Sequence, residues 1–230
     1  MVISIIKQKS KIVTNIFYFT QNQKNCSHIL LLLTQILLKK VNCIKNLYGF
    51  KYRGLFALIG LFLFLLFSMC FLFIDPLFRA ATDPTLVDLQ LAFSALRFHD
   101  IITGWNKSID GGIENYKLST MLLDYLYPLI YSTMLAFAYA AVRKNDQPAR
   151  LDKVMFALPF FAAIFDYIEN TIHLLLLKDV HNLAQAIAAQ YPPSAVAISA
   201  AASVLKFLLF YAGIFAVLGA VIYRIKKRFA

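Results

Sequence analysis

Four polar residues lie inside an otherwise apolar stretch of this chain, and their spacing places them on one face of a helix. The stretch covers residues 154–177, and the four are Asp166, Glu169, Asn170 and His173, at positions i, i+3, i+4 and i+7. A charge inside a bilayer costs at least about 2.5 to 3.5 kcal/mol, so such residues face a bundle interior or a wet cavity and have polar partners. These side chains are therefore the first candidates for a functional site.

Three kinds of chemistry suit this polar face. Carboxylates stacked with a histidine can bind or relay a proton or a small cation. Glu169 and His173 could share a metal ion with Asp166 or Asp124, but the chain has no HExxH zinc motif, so we predict no metal site. An acid and a histidine near the headgroups could also perform acid–base chemistry on lipid. No motif in the chain identifies a cofactor.

The composition is typical of a membrane protein. Of the 230 residues, 60% are hydrophobic and 15% are charged, whereas soluble domains are about half apolar and about a quarter charged. The net charge of +11 does not indicate nucleic-acid binding, because the basic residues cluster at the ends of apolar runs. Cys26, Cys43 and Cys70 have neither metal-type spacing nor a disulfide pattern. The partner we expect is the lipid bilayer.

Four segments are long enough to cross the hydrocarbon, which takes about 20 apolar residues. We predict an all-α membrane protein with a four-helix transmembrane bundle, whose spans lie at about 54–74, 119–142, 154–177 and 195–223. Lysine and arginine are concentrated before the first span, between the second and third, and after the fourth. Both termini are therefore expected in the cytoplasm, and the expected location is a bacterial inner or plasma membrane.

The longer outer loop has an amphipathic pattern. The apolar residues that follow helical spacing are Leu86, Leu89, Phe93 and Leu96. They predict one outer amphipathic helix, which lies at the interface or over the end of the bundle. Trp105 at its end is expected to anchor it in the interface.

Residues 1–50 differ in composition from the rest of the chain. They contain no alanine and no acidic residue, and their apolar run at 29–38 is too short to span a bilayer. We interpret them as a basic N-terminal extension of the membrane domain, residues 51–230. Three origins stay open: upstream sequence translated from a mis-assigned start, a targeting or interfacial segment, or a disordered arm.

Depth along the helices predicts which polar residues meet. At 1.5 Å per residue, Asp166 lies roughly 16 Å below the outer end of the third span, and Lys206 lies roughly 15 Å below that of the fourth. We therefore expect these two side chains to pair near the midplane. Asp124 falls roughly 8 Å below the outer end of the second span, between the levels of Glu169 and His173.

A proline shapes the second span. Pro128 cannot donate to the carbonyl of Asp124, so the helix should bend beside that acid. Tyr127 and Tyr131 lie nearby and can supply hydroxyl groups. The expected result is a buried polar cluster that opens toward the outer side; its members are Asp124, Asp166, Glu169, Asn170, His173 and Lys206.

The cluster supports three classes of function. The leading class is binding or transport of a small cation, a proton or a polar lipid headgroup. The first alternative is a membrane-embedded lipid-modifying enzyme. The second is a structural or assembly subunit in which the cluster only fixes the packing of the helices. Neither a substrate nor an oligomeric state follows from these patterns.

Removal of residues 1–40 should leave membrane insertion and folding unchanged, because the composition changes after this segment and its apolar run is too short to span. A chain that starts at Val41 is expressed beside the full chain. Membrane fractionation and gel filtration in detergent compare the two. Loss of insertion in the shorter chain would show that the extension belongs to the folded protein.

Overall fold

The structure, a computed structural model, describes residues 51–143 and 149–229, and its regular elements there are helices. In chain order these are α1 Arg53–Ile74, α2 Leu86–Gln90, α3 Ala95–Ser108, α4 Gly112–Ser119, α5 Tyr127–Arg143, α6 Arg150–Leu177, α7 Leu183–Ala188 and α8 Pro193–Phe229. A 3-10 turn, Asp75–Leu77, follows α1, and a π-helical turn, Thr120–Asp124, follows α4. The predicted N-terminal extension lies outside the described residues.

Three stretches of the described chain are long and apolar enough to cross a membrane. They are Arg53–Leu77, Gly112–Arg143 and Pro193–Phe229, which match the predicted first, second and fourth spans. The predicted third span is α6, which is 28 residues long but is not one of the three. The all-helical fold is thus confirmed for the described residues, while a fourth span at α6 stays a prediction.

The long helices pack side by side with alternating directions. The rings of Phe137 and Phe156 meet at 5.9 Å between α5 and α6, and those of Phe56 and Phe137 meet at 5.5 Å between α1 and α5. Pro159 of α6 lies against Gly213 of α8. One end of the bundle therefore holds the start of α1, the end of α5, the start of α6 and the end of α8.

We call this end the basic end. Its basic residues in the described ranges are Lys51, Arg53, Arg143, Arg150, Lys153, Arg224, Lys226, Lys227 and Arg228. They come together because all four helix termini that carry them share this end.

The other end of the bundle is covered by a cap, which comprises α2, α3, α4, α7 and the 3-10 turn. Phe98 and Ile102 of α3 and Tyr116 of α4 are buried in one cluster with Leu177 of α6 and Val196 of α8. Burying one such apolar side chain fully contributes about 1.5 to 3 kcal/mol. The cap is therefore joined to α6 and α8 by an apolar core.

The prediction of a single outer amphipathic helix was wrong, because the structure has two helices there, α2 and α3. Thr85 caps α2 by exchanging hydrogen bonds with Asp88, and these bonds lower the pKa of Asp88. Ser94 caps α3 and accepts a hydrogen bond from Arg97 N at 3.1 Å. Because Ser94 begins a new helix, the apolar residues of α2 and α3 do not share one continuous face, and Leu96 is 73% exposed.

The predicted interfacial role of Trp105 was also wrong. Its side chain is fully buried in the cap, where the indole packs on the rings of Phe78 and Tyr116 at 5.2 and 5.4 Å. The indole Nε1 donates to the carbonyl of Pro84 at 2.8 Å. Because this bond satisfies the only polar atom of the ring, the tryptophan can be buried without contact with water.

The second span is irregular where the sequence predicts a bend. The π-helical turn ends at Asp124, and α5 begins only at Tyr127, one residue before Pro128. Since Pro128 has no N–H, the carbonyl of Asp124 accepts a hydrogen bond from Asn170 Nδ2 instead, at 3.2 Å. Tyr167 OH donates to the carbonyl of Tyr125 at 3.0 Å. Polar side chains of α6 therefore complete the backbone bonding of this bend.

Two glycines of α1 differ in the space around them, and Gly60 marks a close contact between α1 and α5. A Cβ at Gly60 would lie 2.9 Å from Cβ of Met134, whereas a Cβ at Gly54 would have nothing within 4 Å. Alanine in place of a helical glycine raises the free energy of unfolding by about 0.5 to 1 kcal/mol where there is space. Overpacking lowers it by about 1 to 3 kcal/mol. We expect Gly60→Ala to lower the midpoint of thermal unfolding in detergent and Gly54→Ala to leave it unchanged or raise it. Equal effects would contradict the close contact.

Candidate functional site

Two carboxylates meet one lysine in the interior of the bundle. Lys206 Nζ of α8 is 2.7 Å from Glu169 Oε2 and 3.3 Å from Asp166 Oδ1 of α6. All three side chains are at most 10% exposed. Asp166 and Glu169 lie one turn apart on the α6 face that packs against α8, so one ammonium group serves both. The structure brings the predicted partners together and adds Glu169 as the nearer one.

The carboxylate of Asp166 is fully bonded. Its Oδ1 accepts from Asn170 Nδ2 at 3.2 Å and from Lys206 Nζ at 3.3 Å, and its Oδ2 accepts from Tyr131 OH at 3.2 Å. A buried charge is tolerated when hydrogen bonds occupy its lone pairs in this way. Asp166 therefore has its polar partners on α5, α6 and α8.

Glu169 is bonded differently, although it is completely buried. Neither of its oxygens has a partner in good hydrogen-bond geometry, although Lys206 Nζ lies 2.7 Å from Oε2 and the hydroxyl of Ser203 lies close to the carboxyl group. An unsatisfied buried polar atom costs about 1 to 3 kcal/mol, and more when the group is charged. The cluster is thus incomplete at Glu169.

His173 links the polar face of α6 to the cap. Its Nδ1 is 2.9 Å from Tyr116 OH of α4, and its ring packs on Phe98 of α3 at 5.5 Å. Its Nε2 is buried and has no partner. If Tyr116 donates to Nδ1, Nε2 carries a proton that has no acceptor; if Nδ1 donates instead, Nε2 is an acceptor that has no donor.

A serine of α8 lies at the level of this histidine. Since α8 runs opposite to α6, Ser199 lies about 10 Å beyond Lys206 toward the cap, while His173 lies about 6 Å beyond Glu169. The hydroxyl of Ser199 is also buried without a partner. Three unpartnered polar groups on facing helices, those of Glu169, His173 and Ser199, therefore extend from the middle of the bundle toward the cap.

Two residues proposed from the sequence lie at the edge of the cluster, where Asp124 is still close enough to interact with the charges of Asp166 and Lys206. Asp124 is half-buried at the end of the π-helical turn, and its backbone carbonyl is bonded to Asn170. Tyr127 turns toward α1, where its hydroxyl is 3.3 Å from Ser68 Oγ and its ring stacks on Phe64 at 5.4 Å. Tyr131 is thus the tyrosine that joins the carboxylates.

Sequence reasoning missed two participants for different reasons. Ser199 lies seven residues before Lys206 on the same helical face, so the spacing could have identified it. Tyr116 lies in the predicted outer loop, and its contact with His173 depends on the cap folding over α6. No local pattern in the sequence indicates that contact.

The bundle interior between the cluster and the basic end is mostly apolar. The buried apolar side chains there are Leu135, Ala136, Phe137, Ala140, Phe156, Ala162 and Ala163. Among the described residues of that half, buried polar side chains are Ser132 and the pair Tyr139 and Asp152. Asp152 accepts from Tyr139 OH at 2.7 Å and from Arg143 Nε at 2.9 Å, and it lies about 21 Å along α6 from Asp166. The unpartnered polar groups therefore lead only toward the cap.

Metal binding finds no support in the part of the chain that the structure describes, where no three His, Cys, Asp or Glu side chains are grouped so that they could hold a metal ion. Comparison with known proteins finds no family model, no curated protein and no solved structure that matches this chain. Function must therefore be inferred from the geometry of the polar cluster.

Lys206→Met should lower the free energy of unfolding by about 3 to 5 kcal/mol, because it leaves buried carboxylates without their counter-charge. Adding Glu169→Gln should recover more of this loss than adding Asp166→Asn, since Asp166 keeps its bonds to Tyr131 and Asn170. Thermal unfolding of the single and double variants in detergent measures both effects. Strictly additive losses would show that Lys206 and the carboxylates do not interact.

Proposed function

We propose that this chain is an integral membrane protein whose buried polar cluster reversibly binds a proton that enters from the cap end. One observation carries the proposal. Glu169 is completely buried, Lys206 lies beside one of its oxygens, and neither oxygen accepts a hydrogen bond of good geometry. When Glu169 is a carboxylate, its oxygens accept no hydrogen bond of good geometry. When it is protonated, its O–H becomes a hydrogen-bond donor.

The membrane placement is supported by the surfaces of the apolar helices. In α1, Phe62 and Phe73 are 67% and 73% exposed, and in α8 Phe215 is 69% exposed. Apolar surface of this extent is costly in water and not in lipid. We place α6 across the membrane as the fourth span, enclosed by its neighbours, and the basic end on the cytoplasmic side.

The charge balance of the cluster favours an added proton. Asp166, Glu169 and Lys206 would together carry one net negative charge if all were ionised, and Asp124 is a third acid nearby. A net charge in a dry interior is costly, and crowded carboxylates relieve it by sharing a proton. Glu169 is the better proton acceptor of the pair, because both oxygens of Asp166 already accept hydrogen bonds.

A proton fits this site better than a metal cation does. The ammonium group of Lys206 already occupies the position between the carboxylates that a cation would take. A proton needs no shell of ligands, and it can pass along groups that both donate and accept. His173 and Ser199 are such groups, and they lie between Glu169 and the cap.

The same geometry favours binding from one side over transport across the membrane. The unpartnered groups end at the cluster, and the interior beyond it is mostly apolar as far as Asp152. Because His173 contacts Tyr116 and Phe98, a proton on this path would change the contact between α6 and the cap. We therefore propose that proton occupancy alters how firmly the cap is seated.

A structural role is the second candidate, and the bonding of two residues favours it. Asp166 has three polar partners, and Asn170 supplies the hydrogen bond that Pro128 cannot give to Asp124. Both are features of a network that fixes helix packing. A lipid-modifying enzyme is less well supported, since a headgroup would have to displace the cap to reach Glu169.

Proton binding is tested by infrared difference spectroscopy between acid and alkaline states of the protein in liposomes. We expect a protonated-carboxyl C=O band that is lost in Glu169→Gln. It should persist in Asp152→Asn, a matched control that removes a buried carboxylate of the same helix outside the cluster. A band that Glu169→Gln leaves unchanged, or no band at any pH, would favour the structural role.

Proton flux distinguishes binding from transport. A pH-sensitive dye enclosed in the same liposomes should report no steady flux above that of Glu169→Gln, because the polar path does not continue to the basic end. A flux that is lost in Glu169→Gln and kept in Asp152→Asn would contradict one-sided binding and would require a path through the apolar half.

A further inference from the structure

A shallow cavity of about 300 Å³, open to the surroundings, lies at the basic end of the bundle, between α5 and α8. It is lined by Val142, Val221, Arg224, Ile225 and Arg228. The two arginines are one helical turn apart on α8, so both guanidinium groups can face one ligand, and the other three side chains are aliphatic. A cationic group next to aliphatic walls suits an amphiphile better than a small soluble anion.

The charges at this cavity are positioned, and no carboxylate of residues 51–143 or 149–229 forms an ion pair with them. Arg224 Nη1 donates to the carbonyl of Val142 at 3.2 Å, which directs the side chain to the end of α5. Neither Arg224 nor Arg228 forms an ion pair with a carboxylate among the described residues. Guanidinium groups bind phosphate oxygens in pairs, with charge-assisted hydrogen bonds.

The surroundings strengthen the local positive field. The basic end has nine basic residues in the described ranges and one acidic residue, Asp152, which is already paired with Arg143. Arg143 in turn lies over the ring of Tyr223 at 5.0 Å. A cluster of lysines and arginines beside transmembrane helices attracts anionic lipid headgroups.

The apolar surface beside the cavity fits the rest of a lipid. Ile222 and Ile225 are 55% and 52% exposed, and the exposed apolar face of α8 continues from them to Leu218 and Phe215 toward the middle of the bundle. A phosphate held by Arg224 and Arg228 would place acyl chains along this face. The headgroup and the chains would thus each meet a surface of matching polarity.

We infer that this cavity binds the phosphate of an anionic phospholipid, seated in the membrane leaflet at the basic end. The inference rests on the membrane placement proposed above but not on proton binding by Glu169. It assigns a ligand-binding role to Arg224 and Arg228. The bound lipid would join the ends of α5 and α8 at the side of the bundle opposite the cap.

The test measures binding of spin-labelled phosphatidylglycerol to the full chain in phosphatidylcholine vesicles, by the motionally restricted fraction of the label. We expect Arg224→Gln with Arg228→Gln to weaken binding at least about tenfold, since charge-assisted bonds are lost. The matched control is Lys226→Gln with Lys227→Gln, which removes the same charge from the same turn but not from the cavity, and it should weaken binding much less.

Other outcomes would overturn the inference. Equal losses in the two double variants would mean diffuse attraction to the basic end. Equal binding of spin-labelled phosphatidylcholine would mean that no phosphate charge is recognised. Displacement of the lipid by inorganic phosphate at matched ionic strength would mean a soluble-anion site. Alkaline carbonate extraction checks the membrane placement separately, and release of the protein there would overturn that placement and this inference with it.

Discussion

The ammonium group of Lys206 lies within 3.3 Å of two carboxylates in an interior that is closed to solvent. A buried charge without a partner costs several kcal/mol, so each of these groups requires the others. This requirement sets the rotation and register of α6 against α8. At the same register Gly213 meets Pro159, and Tyr131 of α5 reaches Asp166. The ionic contact therefore lies where the three central helices meet.

The polar face of α6 divides into residues that are satisfied and residues that are not. Asp166 has a partner on each of its oxygens, and Asn170 Nδ2 donates both to Asp166 and to the carbonyl that Pro128 leaves without a helical donor. Both oxygens of Glu169 and Nε2 of His173 are buried without a hydrogen bond of good geometry. Alternate members of one stripe thus differ in their bonding, so the packing network and the proposed proton site use different residues of the same helix.

The two ends of the bundle differ in their physical character. At the cap end, buried aromatic rings of Phe98 and Tyr116 cover the polar face and contact His173 directly. At the basic end, Asp152 is held by Arg143 and Tyr139, and the tail of α8 carries an excess of positive charge. The mostly apolar interior lies between the polar cluster and the basic end, so the proposed proton binding and the proposed lipid binding would involve different residues.

The long helices, and the positions of their polar residues along each helix, could be predicted from the sequence. The ends of α1, α6 and α8 lie within a few residues of the predicted spans except at the tail of α8, because apolar runs and prolines are local signals. The pairing of Asp166 with Lys206 was predictable because a helix has a fixed rise. Three features are visible only in the folded chain: Glu169 is the nearer partner of Lys206, Tyr116 bonds His173, and Trp105 is buried. These contacts depend on the rotation of each helix about its axis and on how the cap folds back, and neither follows from spacing along one chain segment.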